Sequence, residues 1–176
     1  MKSILLFFLF FTLSLFSAEI TGEVIKISDG DTITIIDSNN RKYKIRLDKI
    51  DAPELKQCFG INAKKHLVSL IAGKQVKVIY QKKDRYKRIL GIVYLQEKEI
   101  NLQMVQDGFA WHYLFYDKSP EYIEAEQKAR QNKSGLWIQK NPVKPYEFRK
   151  NSKRMQNRKQ KGQSKKKPLQ RISHGQ

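Results

Sequence analysis

Asp29-Gly30-Asp31-Thr32 and Arg46-Leu47-Asp48-Lys49-Ile50-Asp51-Ala52-Pro53-Glu54 gather carboxylates around one arginine in an otherwise strongly basic chain. The formal net charge is +18 at pH 7, so the bulk field attracts polyanions toward a spot that is locally acidic. Cutting a phosphodiester needs a nucleophile, neutralisation of the phosphoryl oxygens and help for the departing oxygen. Hard divalent cations take oxygen ligands, and Asp31 and Asp51, with the main-chain carbonyl of Ala52, offer such ligands for Ca²⁺. Two carboxylates are few for a tight structural site and favour an open one with room for water and a phosphate oxygen. Glu54 follows Asp51 by three residues with Pro53 fixing the backbone between them, which makes it the candidate to orient or deprotonate the attacking water. Arg46 and Arg88 supply planar, always-charged donor forks for the phosphate, and their role is electrostatic stabilisation of the crowded phosphorus.

Each of these parts has a plainer reading on its own. Asp-Gly-Asp is a common turn, Asp-Ala-Pro-Glu a common strand exit, and Arg88 one more surface cation. Asp29 and Asp48 stay open between carboxylates that support the site and simple turn residues. What joins the parts is the expected fold. Ile20–Ile27 and Thr32–Ile36 are rich in β-formers, Asp37-Ser38-Asn39-Asn40 is a turn signal, and Tyr43, Ile45 and Leu47 alternate with Lys44 and Arg46. A hairpin centred near Asn39 sets Arg46 opposite Thr32 and brings the two acidic stretches to one open end.

Ala63, Leu67, Leu70 and Ile71 recur at helical spacing between Gly60 and Gly73. Two further strands are predicted over Gln75–Tyr80 and Ile89–Leu95, joined by Lys82-Lys83-Asp84-Arg85. Five strands interrupted by one helix predict an α+β domain built on a small closed barrel of the OB type. About three helices flank it: the one before Gly73, a second over Ile100–Gln106, and a third from Ser119-Pro120 to about Asn132. Trp137, Pro142, Pro145, Tyr146 and Phe148 read as an extended segment packed on the body.

The chain opens with Lys2 and an apolar run from Ile4 to Phe16, too short for a comfortable membrane span, which reads as a secretory signal ending at Ala18. Phe16 sits where a small residue is normally wanted before a cut, so an uncleaved anchor is the alternative. The expected organisation is a signal over 1–18, one domain over 19–148 and a basic tail over 149–176. Export follows, to a periplasmic, secreted or envelope-associated location. Cys58 is the only cysteine, so no internal disulfide forms, and it reads as a small half-buried side chain. His66, His112 and His174 are too dispersed for a local zinc motif. Beyond Glu147 the charges are all basic, including Arg149, Lys150, Lys153 and Lys165-Lys166-Lys167, and the low apolar content predicts disorder. That tail suits nucleic acid or an anionic envelope surface; a purely solubilising role is its plain alternative.

From Glu23 to Phe148 the chain resembles the staphylococcal-nuclease-like, or thermonuclease, family of calcium-dependent nucleases. The resemblance rests on Asp29-Gly30-Asp31-Thr32-Ile33-Thr34-Ile35 followed by Arg46 to Glu54, and on Asp84-Arg85-Tyr86-Lys87-Arg88-Ile89-Leu90-Gly91. Asn101, Gly108-Phe109-Ala110-Trp111, Glu121-Tyr122, Ala125-Glu126 and Gly135-Leu136-Trp137 are similar to its helical half. The resemblance implies hydrolysis of DNA and RNA with 3′-phosphate ends. It also implies that Asp31, Asp51 and the Ala52 carbonyl hold Ca²⁺, that Glu54 is the catalytic glutamate, that Arg46 and Arg88 bind phosphate, and that Tyr86 lies near the bound nucleotide. Lys87 stands where the family commonly has glycine, which puts the backbone before Arg88 in question. Ala52 replaces a threonine found in some members without changing the main-chain ligand.

The leading expectation is therefore an exported Ca²⁺-dependent endonuclease acting as a monomer. A non-catalytic OB-type nucleic-acid-binding protein is the first rival, with Tyr43, Tyr86, Tyr113 and Tyr116 available for base stacking, although core or rim packing is the plainer use of those rings. Carboxylates facing phosphates repel them, which counts against a pure binder. An adhesion or envelope protein working through its tail is the second rival, and it leaves the acidic cluster unexplained.

Overall fold

The computed structural model describes residues 17–164; the signal expected over 1–18 falls almost wholly outside them, as does the end of the tail. Strand β1 (Ala18–Ile27) pairs antiparallel with β2 (Thr32–Ile36), and β2 with β3 (Lys42–Leu47). A two-residue strand β4 (Ile50–Asp51) precedes helix α1 (Gly60–Ile71). Next come β5 (Gln75–Lys83) and β6 (Ile89–Leu95), then the short β7 (Lys98–Glu99), helix α2 (Ile100–Gln106) and the short β8 (Trp111–His112). Helix α3 (Pro120–Gln131), a 3₁₀ turn over Gly135–Ile138 and helix α4 (Pro145–Ser164) complete the described residues.

Strand order β3-β2-β1-β5-β6 closes on itself because β3 also pairs in parallel with β6, Ile45 opposite Ile89 and Leu47 opposite Gly91. The result is the closed five-stranded OB-type barrel expected, in an α+β domain, with four helices rather than three. Alternation along the strands supplies the interior: Ile33, Ile35, Ile45, Leu47, Val76, Val78 and Val93 are all buried. Helix α1 closes one end with Ala63, Leu67 and Ile71, residues four apart on one face, and α2 adds Ile100 and Met104.

Two expectations fail here. Cys58 is exposed in the turn before α1 rather than half-buried. Where an extended segment and then a structureless tail were expected, α4 runs from Pro145 through Ser164, with Pro145 in the first turn and Glu147 beside it.

Candidate active site

The β2–β3 register sets Thr32 opposite Arg46, and the Leu47 amide donates to the Asp31 carbonyl at 2.8 Å. The chain then turns at Lys49, and β4 pairs with β8 so that Asp51 lies opposite Trp111. These pairings bury two acids side by side: Asp31 is 6% exposed and Asp51 2%. The Arg46 guanidinium bridges them, with Nη2 at 3.1 Å from Asp31 Oδ2 and 3.0 Å from Asp51 Oδ1. Its Nη1 donates to the carbonyls of Leu47 and Ile50 at 2.8 and 2.9 Å, so both terminal nitrogens are engaged and the direction of the fork is fixed. Asp31 Oδ2 also accepts the Ala52 amide at 2.8 Å.

Glu54 begins a tight turn closed by the Gln57 amide, which donates to its carbonyl at 2.7 Å. The turn leads into α1 through Gly60, where a Cβ would lie 1.8 Å from the Glu54 carbonyl oxygen. Only glycine permits that approach, and it fixes the backbone that carries the Glu54 side chain. Arg88 comes from the β5–β6 loop. Asp84 holds it there: Asp84 Oδ2 accepts Arg88 Nε at 2.8 Å and pairs with Nη2 at 2.7 Å, while Oδ1 accepts the amides of Tyr86 and Arg88. Lys87 adopts the left-handed backbone (φ 62°) that glycine favours, so the substitution leaves the loop's geometry as a glycine would set it. The Tyr86 ring is exposed, with the Arg85 and Arg88 guanidiniums 4.9 and 5.6 Å from its centre.

One open cleft of about 1060 Å³ joins these parts: Asp31, Arg46, Ala52, Glu54, Tyr86 and Arg88 all line it, and Asp51 lies buried beneath. The seven residues expected to hold metal, catalyse or bind substrate thus lie in or under a single cleft. Asp29 and Asp48 accept the amides of Asp31 and Lys49 at 3.1 and 2.9 Å, as turn residues do, and both also line the cleft. Tyr43 packs against the barrel core as expected, whereas Tyr113 and Tyr116 join Tyr86 on the cleft wall.

Electrostatically the cleft wall is basic, but at Asp31 the facing positive charge does not offset burial. Burial first, then the neighbouring Asp29 and Asp51, push the Asp31 carboxyl up to about 7 against the opposing pull of Arg46 and the Ala52 amide. Burial also raises Asp84, but hydrogen bonds from Arg88 and Tyr86 outweigh it and hold this carboxyl below its ordinary value. Among the described residues no group of three or more His, Cys, Asp and Glu side chains is arranged to hold an ion. The donor set that does exist is hard and anionic, two carboxylate oxygens converging on one nitrogen, which is the chemistry a Ca²⁺-class cation takes and a soft metal does not.

Sequence reasoning missed one residue at the centre. Arg149, assigned to the tail, donates from Nη1 to Glu54 Oε1 at 2.8 Å and to Asp51 Oδ1 at 3.1 Å, and from Nη2 to Asp51 Oδ2 at 3.0 Å. Burial lowers its affinity for the proton, but the bonds to Asp51 and Glu54 raise it by more, so the guanidinium stays charged. A signal was present: Tyr146, Arg149, Lys150 and Lys153 follow helical spacing and all line the cleft.

An OB-type barrel that sets paired acids, a glutamate and two arginines around a basic-walled cleft defines a class of phosphodiester-processing proteins. The family described as staphylococcal nuclease homologue matches residues 44–139. An uncharacterized endonuclease of Haemophilus influenzae is 44% identical over 133 residues, 76% of this chain and 75% of that protein. An uncharacterized endonuclease of Escherichia coli is 42% identical over 149 residues, covering 84% and 97%. A micrococcal nuclease of Shigella flexneri is 39% identical over 151 residues, covering 80% and 86%. The chain belongs to the staphylococcal nuclease homologue family.

Proposed function

We propose that this protein is an exported endonuclease that hydrolyses phosphodiester bonds of DNA and RNA with the help of Ca²⁺, leaving 3′-phosphate ends. The observation behind this reading is the convergence of Asp31, Arg46, Asp51, Glu54 and Arg88 on one cleft. Export rests on the apolar leader, and the relatives named as endonucleases and micrococcal nuclease support the reaction class.

In this reading Asp31, Asp51 and the Ala52 carbonyl hold the cation. When bound, it neutralises phosphate charge and polarises the phosphoryl group. Glu54, in the cleft but outside the Asp31–Arg46–Asp51 cluster, orients the attacking water and accepts its proton; as the new P–O bond forms the P–O5′ bond breaks, and the departing 5′-oxygen takes a proton from solvent. Arg46, fixed by two main-chain carbonyls, and Arg88, fixed by Asp84, present charge to the phosphate oxygens as negative charge builds at phosphorus. Because both arginines are already anchored, little reorganisation is needed at the moment of reaction. A protein that only bound nucleic acid would gain nothing from acids buried beneath its phosphate path.

Labelled DNA and RNA digested by the mature protein test this reading, in Ca²⁺, in chelator and with Glu54→Gln. Cutting in Ca²⁺, none in chelator, and a loss of roughly 10²- to 10⁴-fold in the variant are expected. Equal cutting in all three conditions removes the proposal.

A further inference from the structure

Both carboxylate oxygens of Asp51 are engaged, Oδ1 by Arg46 and Arg149 and Oδ2 by Arg149, and the same Arg149 fork reaches Glu54. The guanidinium therefore stands on the face of the acidic cluster that a cation and an attacking water must use. It comes from a helix that is held weakly. Pro145 is the only buried residue among those of α4 whose surroundings are described; from Tyr146 to Arg158 all are half-buried or exposed. Just before α4 the Gln57 side-chain Nε2 donates to the Val143 carbonyl at 2.6 Å, and the Lys144 ammonium lies 5.7 Å from the Trp111 ring centre. An element docked by polar contacts and little apolar burial opens locally at low cost. Along the same face Lys150 and Lys153 line the cleft and add positive charge to it.

We propose that α4 is a gate on the active site, with Arg149 as a resident counter-cation that Ca²⁺ displaces. This rests on the cation reading given above. Arg149 balances the Asp51 and Glu54 carboxylates in the arrangement seen here. When Ca²⁺ takes Asp51, the guanidinium loses its main anchor and is repelled by the ion, and α4 swings away from the cleft. Lys cannot replace it fully, because a single ammonium does not span two carboxylates as a planar fork does. Nucleic acid entering from the cleft adds to the same exchange, since its phosphates offer Arg149, Lys150 and Lys153 new partners.

Isothermal titration of the mature full-length protein with Ca²⁺ alone, for wild type, Arg149→Ala and Arg149→Lys, tests the competition without turnover. Removing the competitor is expected to tighten Ca²⁺ binding by about tenfold in Arg149→Ala, with Arg149→Lys between. Hydrogen exchange on the wild type needs no substitution: amides of residues 146–158 are expected to exchange faster in Ca²⁺ than in chelator. Equal Ca²⁺ affinity in all three proteins, or unchanged α4 exchange when Ca²⁺ binds, overturns the gate and leaves the endonuclease reading standing. Failure of Ca²⁺ to bind to any of them overturns the cation reading and the gate together.

Discussion

Asn101 ties the barrel to the loop that carries the acids, and its removal is the sharpest test of how the site is held. It is fully buried at the start of α2. Its Oδ1 accepts the Val93 amide at 3.0 Å, and its Nδ2 donates to the carbonyls of Asp48 and Gly91 at 2.9 and 3.0 Å. In Asn101→Ala, Gly91 keeps a partner, because the Asp48 amide also donates to its carbonyl at 2.9 Å. The Val93 amide and the Asp48 carbonyl do not. Each orphaned group costs about 1–3 kcal/mol, so the variant loses about 2–6 kcal/mol of a total stability on the order of 5–15 kcal/mol. Urea unfolding followed through Trp111 and Trp137 fluorescence reads this as a lower midpoint at unchanged slope. Asn101→Asp keeps the shape and accepts from Val93 but offers no donor and buries a charge, so it is expected to be at least as damaging. A loss below about 1 kcal/mol in Asn101→Ala, or full rescue by Asp, refutes the assignment of these bonds.

Asp84→Asn releases Arg88 from its ion pair, and misplacing that fork is expected to lower kcat/KM on the order of 10²-fold while the barrel stays folded; unchanged kinetics would contradict it. Because Asp84 lies below its ordinary value of 3.8 in the folded state, its stabilisation is complete above that value and is lost as pH falls through the lower folded one. Acid titration of the thermal midpoint should therefore show, in the wild type, a loss below pH 4 that Asp84→Asn lacks. Gly60→Ala drives a Cβ into the Glu54 main chain, which cannot yield as a flexible side chain would, and is expected to cost about 1–3 kcal/mol and to slow turnover by moving Glu54. Alanine is otherwise the better helix residue, so a rise in thermal midpoint would show that the close approach does not matter.

The first hairpin was legible because its two strands alternate and Asp37-Ser38-Asn39-Asn40 marks the turn between them; Thr32 faces Arg46 as that centre requires. Barrel closure was expected from strand count alone, since nothing in the residues of β3 or β6 announces their parallel pairing across an intervening helix and two strands. The pairing of β4 with β8 was invisible for a simpler reason: two residues have no period, yet this pairing buries Asp51 against Trp111. At Lys87 the residue type misled. A left-handed lysine costs about 1–2 kcal/mol, but Asp84 offsets it locally by accepting the amides on either side, at Tyr86 and Arg88, so the loop keeps the shape that places Arg88.

Helix α4 shows why the remaining part of the site escaped. A helix is normally found from its apolar stripe, because burying that stripe is what stabilises it. Here the stripe that faces the protein is Tyr146, Arg149, Lys150 and Lys153, three of them cations, and what it faces is a cleft floored by acids. Complementary charge replaces apolar burial as the reason for docking, so composition reads as disorder where the fold supplies a partner. The same substitution makes the docking conditional. Apolar contacts persist whatever the site binds, whereas an ion pair with Asp51 and Glu54 lasts only until another cation competes for those oxygens. In the proposed gate, a helix held by the charge that a bound cation would also claim is coupled to the occupancy of that site through direct competition, with no separate pathway required.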